Sequence, residues 1–160
     1  MNFFAVPGPW VSCLKKPVAA LATVALLAVP SGLRAAAETD GQVAARETAL
    51  ELAGAFTNDG YKIRDGHWSG QIEPGKGQVL TVNLYAGNQY YFTLGYTDKA
   101  KKATVVVYDE TGKPVEGEEF FQDKTRAAAG VSPVVSGPYY VSVQVVEGDA
   151  SDFCLMYSYK

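Results

Sequence analysis

The chain has 160 residues, 48% of them hydrophobic and 19% charged, with a formal net charge of −3. That length suits one domain with one core. The acidic balance argues against nucleic acid as a partner, since the largest basic run is Lys99-Ala100-Lys101-Lys102, which reads as a solvated turn.

Residues 1–37 carry Lys15 and Lys16, an apolar run from Pro17 to Val29, and Ala35-Ala36-Ala37. This order of positive region, apolar region and small-residue site predicts a secretory signal peptide cleaved after Ala37. The 13-residue run is shorter than the ~20 residues that span a bilayer. Cys13 precedes the run, so it does not mark a lipid anchor. The expected mature chain begins at Glu38, is exported to the periplasm or the exterior, and keeps no stable membrane anchor. It holds 11 basic and 17 acidic residues, a net −6, and Cys154 alone among cysteines, so no internal disulfide forms.

A helix is predicted over residues 39–57, with Thr39 as N-cap and Gln42 completing a capping box. Ala45, Ala49, Leu52 and Phe56 recur at helical spacing, and Asn58-Asp59-Gly60 ends the element. The Leu52/Phe56 edge is expected to pack on the segment C-terminal to the helix.

From Tyr61 the apolar period becomes two. Strands are predicted at 78–85, 88–96, 103–109, 118–123, 125–131, 139–147 and 153–159, with 66–72 as a further candidate. The first two of these are expected to form a hairpin across Ala86-Gly87-Asn88. In the stretch 105–117, Asp109 and Gly112 predict a type I turn with a bulge. Seven or eight strands without intervening helices specify a mainly β protein: an antiparallel sandwich of jelly-roll kind over residues 61–160, preceded by one helical segment at 38–60.

Catalytic residue types are scarce. The mature chain has one histidine, His67 in a glycine-flanked turn, and Cys154 in an apolar strand with no cation or helix N-terminus beside it to lower its pKa. No zinc spacing occurs. The loop carboxylates Asp109, Glu110, Glu147, Asp149 and Asp152 do not follow the calcium-loop pattern, so neither metal nor cofactor is called for. Aromatics are abundant: all ten tyrosines and Trp68 fall in the mature chain. Strand alternation turns Tyr85, Asn83, Thr81, Tyr91 and Thr93 away from the core together, and Tyr140, Ser142 and Gln144 outward on their own strand. Tyr85, Tyr91, Tyr140 and Asn83 are therefore the candidate ligand-binding residues, of a kind that stacks on sugar rings or anchors a protein partner.

Residues 78–159 resemble the bacterial pre-peptidase C-terminal domain. The likeness rests on Gly87, Tyr90, Phe92 and Leu94, on Tyr108-Asp109 to Gly112, and on Gly137-Pro138-Tyr139-Tyr140-Val141. It implies a secreted β-sandwich of the sort appended to extracellular hydrolases. Where that family often carries acidic residues before the middle strand, residues 97–103 here hold only Asp98, which bears against a calcium role. The expectation is a non-catalytic module that meets a glycan or an envelope protein. The alternative is a small secreted hydrolase, or a hydrolase inhibitor or accessory subunit, whose site has no recognised motif.

Overall fold

In the computed structural model, residues 37–117 and 120–160 are described, Phe120 by its backbone alone. The expected signal peptide lies, apart from Ala37, outside the described residues. Helix α1 (Asp40–Thr57) starts where the capping box places it: Thr39 Oγ1 accepts from the Gln42 N–H and the Gln42 side chain accepts from the Thr39 N–H, both at 3.1 Å. The strands follow as β1 (Lys62–Ile63), β2 (Trp68–Ile72), β3 (Gln78–Leu84), β4 (Tyr90–Tyr96) and β5 (Ala100–Tyr108). They continue as β6 (Phe120–Asp123), β7 (Arg126–Val131), β8 (Gly137–Gly148) and β9 (Ser151–Tyr159).

These strands build two antiparallel sheets, giving the mainly β sandwich that the alternation indicates. Strands β1, β9, β4, β7 and β6 lie side by side in the larger sheet, with β2 also pairing β9, and β3, β8 and β5 make the smaller one. Only β6 and β7 are consecutive neighbours in the order of either sheet. The hairpin expected between 78–85 and 88–96 does not form: β3 pairs with β8, whereas β4 pairs with β7 and β9. The Tyr85–Asn88 turn, closed by the Asn88 N–H on the Tyr85 carbonyl at 3.3 Å, carries the chain from one sheet to the other.

Between the sheets, alternate residues of every long strand interdigitate. Val82, Leu84, Phe92, Leu94, Val105 and Val143 are among the buried side chains of this main core. The 105–117 hairpin forms as its residues specify. Asp109 Oδ1 accepts from the Thr111 N–H, the Thr111 hydroxyl and the Lys113 N–H, while Gly112 takes φ 80° and donates to the Asp109 carbonyl.

A second, smaller core lies on the far side of the larger sheet. Ala45, Ala49 and Ala53 of α1 press against Cys154 and Met156 of β9, with Ile63 alongside. Close approach is possible because Gly95 of β4 has no side chain. A Cβ there would collide with the Ala45 carbonyl oxygen and stand 2.6 Å from the Ala49 nitrogen. Leu52 is buried and Phe56 stacks on Tyr91, so the Leu52/Phe56 edge does pack, beside an alanine face. The larger sheet is thus covered on both faces over β4 and β9, and β4 is buried at every position except half-buried Tyr91.

The uncovered sheet face and the groove at its end

Among the described residues, no helix or strand lies on the outer face of the three-stranded sheet. Register places Thr81, Tyr140 and Tyr108 in one row across it and Val79, Ser142 and Val106 in the next. Directly opposed residues in antiparallel strands have Cβ atoms about 5 Å apart. Tyr108 and Tyr140 therefore stand side by side, both half-buried, with exposed Thr81 on the other side of Tyr140 and half-buried Ser142 in the next row. Asn83 pairs with Pro138 at the end of the same face, and both are exposed.

The four candidate residues do not form one surface. Asn83 and Tyr140 share the outer face of the smaller sheet, and Tyr85, 63% exposed, sits just past β3 where the chain leaves that sheet. Tyr91 belongs to the larger sheet and faces α1. Its ring stacks on Phe56 at a centroid distance of 4.1 Å and meets Tyr61 edge-on at 4.9 Å. Gly130 opposite leaves room for it, since a Cβ at that position would lie 2.8 Å from the Tyr91 ring. Thr93 is fully buried beneath the same helix. The shared face of Tyr85, Tyr91 and Asn83 is corrected accordingly: β3 and β4 lie in different sheets, so their outward residues point to opposite sides of the sandwich. Tyr108, which sequence reasoning passed over, takes the place of Tyr91. The signal was the alternation of Thr104, Val106 and Tyr108 against Ala103, Val105 and Val107.

At the Asn83 end of this face a groove of about 480 Å³ opens between the 109–116 turn and the 132–138 loop. Hydrogen bonds fix its walls. The Tyr139 hydroxyl donates to the Val135 carbonyl at 2.8 Å, and the Ala86 N–H donates to Ser136 Oγ at 2.9 Å. On the other wall, the turn bonds to Thr111 and Lys113 hold the Asp109 carboxyl below the usual aspartate range, so it stays charged.

The residue types able to do covalent chemistry are engaged elsewhere. Cys154 is fully buried beneath α1, and burial, followed by the nearby Glu38 charge, pushes its thiol up to about 12. His67 Nε2 meets Glu38 Oε1 at 3.0 Å, Arg46 reaches the other oxygen of that carboxylate at 3.2 Å, and the Ser69 hydroxyl donates to Oε1 at 3.3 Å. The histidine and the serine thus converge on a carboxylate that fastens the start of α1 to β2, and neither is paired with the other as base and nucleophile. Among the described residues, no three His, Cys, Asp or Glu side chains gather as a metal site would require.

Comparison with known proteins returns no match, neither to a family model nor to a curated protein.

Proposed function

We propose that the chain is an exported, non-catalytic β-sandwich module, similar to the pre-peptidase C-terminal type. In this reading it presents the outer face of its smaller sheet to a glycan or protein partner of the cell envelope or exterior. One observation carries it: helix α1 covers β4 and β9 on one side of the sandwich, while among the described residues no helix or strand lies on the other side, where Tyr108 and Tyr140 are in direct register. Two tyrosines that are register neighbours, with the hydroxyl of Thr81 beside them and the amide of Asn83 in the next row, give both a stacking surface and hydrogen-bonding partners. The raised thiol of Cys154 and the carboxylate-bound His67 support a binding role over a hydrolytic one.

The test uses the chain from Glu38 to Lys160 and the double variant Tyr108→Ala/Tyr140→Ala, screened on a glycan array and against co-purifying envelope proteins. Loss of a stacked anchor costs about 2 kcal/mol, roughly thirtyfold in affinity. Retention should fall by that factor. Binding that survives the double replacement rules out the face. Hydrolysis by the purified protein that disappears in His67→Ala would instead make it an enzyme.

A further inference from the structure

We infer that the groove between the 109–116 turn and the 132–138 loop is a second binding site, which takes an extended peptide segment of a partner protein carrying an arginine or lysine beside an apolar residue. The groove presents two kinds of surface at once. Val134 and Val135 are 89% and 62% exposed on one wall, between Pro133 and Pro138. Adjacent aliphatic side chains held out from a loop fixed by hydrogen bonds form a ready apolar contact. Around them stand three carboxylates, Asp109, Glu110 and Glu116, against the single ammonium of Lys113, a local charge of −2 (1 − 3).

Charge complementarity selects the occupant. An anionic ligand is repelled, and the carboxylates do not converge closely enough to chelate a metal ion. A cation on a long, flexible side chain can reach dispersed carboxylates, while its apolar neighbour lies on the valines. The wall chemistry suits a peptide better than a sugar. Among the described residues, the one aromatic ring lining the groove is Tyr139, which is buried with its hydroxyl bonded to Val135 and offers no open ring for stacking.

The experiment is selection of an unbiased heptapeptide library displayed on phage against the Glu38–Lys160 chain, followed by titration of the enriched peptides. Enrichment of sequences that place Arg or Lys next to Val, Leu, Ile or Pro is expected. Their affinity should drop about tenfold in the exposed double charge reversal Glu110→Lys/Glu116→Lys. It should recover when the peptide's basic residue is exchanged for glutamate. A matching loss is expected in Val134→Ser/Val135→Ser, and none in Tyr108→Ala/Tyr140→Ala, which separates this site from the sheet face. No enrichment, enrichment of peptides without a basic residue, or binding unchanged in both groove variants overturns the inference. So does a glycan whose binding is lost on charge reversal.

Discussion

Gly95→Ala places a single methyl group at the point where α1 lies closest to the larger sheet. The new Cβ would collide with the Ala45 carbonyl oxygen, stand 2.6 Å from the Ala49 nitrogen and lie 3.1 Å from the Ala49 Cβ. Two of these three atoms are helix backbone, so no side-chain rotation relieves the clash, and α1 must move off β4. Overpacking of this sort costs about 1–3 kcal/mol. Lifting the helix also exposes part of the alanine, Cys154 and Met156 contact. We expect about 3 kcal/mol in all, or a fall of roughly 10 °C in melting temperature for a domain of this size. Cys154 gives an independent reading, because burial beneath the helix holds its thiol at about 12 and keeps it from reagents. In the parent protein at pH 8, labelling by a disulfide reagent should wait on unfolding; in Gly95→Ala it should proceed while the sheets remain folded. A variant that melts within about 2 °C of the parent, with its thiol still protected, would show that the close helix contact is not what holds α1 down.

Two further outcomes separate packing from binding. Tyr91→Ala removes the ring stacked on Phe56 at 4.1 Å and should cost about 2 kcal/mol in a calorimetric melt, with ligand retention on the outer sheet face unchanged. For Glu38, the hydrogen bond from His67, then the charges of Arg46 and His67 and the Ser69 bond, set the carboxyl below the ordinary glutamate range. A folded pKa below the unfolded one means that its contribution is full above the ordinary value of about 4.3 and is lost as pH falls through the lower, folded value. The melting-temperature gap between parent and Glu38→Gln should therefore be present near ~pH 6 and close on acidification towards ~pH 3; a gap constant across that range would refute the role given to the carboxylate.

The helix was legible in detail because its signals are local: Thr39 and Gln42 set its start and the Ala45/Ala49/Leu52 spacing set its buried side. Strand positions were also legible, since alternation is a property of each segment. Partnership was not. Alternation in 78–84 and 90–96 reports a buried side for each strand, but not that the two buried sides face each other from different sheets. Two-sided burial had left a trace in the unbroken apolar texture of residues 90–96 and 153–157 and in Gly95 within a strand, both marks of something packed on the second face. Of the residues on the proposed binding face, Asn83 and Tyr140 followed from strand phase alone. The groove did not, because its two walls are separated by β6 and β7 and neither loop has a period to read.

Strand β9 occupies an inner position in the larger sheet, between β4 on one side and β1 and β2 on the other. Lys62 pairs with Tyr159, 97 positions away (159 − 62), so the sheet closes only through contacts that span most of the described chain. Closing so long a loop must precede any gain from the pairing, which makes assembly slow compared with a fold built from neighbouring hairpins. A chain emerging from its N-terminal side can pair β4, β7 and β6, but it has no strand to join β4 to β1 and β2, and α1 has no Cys154 and Met156 to rest on, until residues 151–159 arrive. Until then the pairing edges of β4 and β2 stay open, an interval in which the chain is exposed to mispairing with other copies and has yet to acquire its folded bulk.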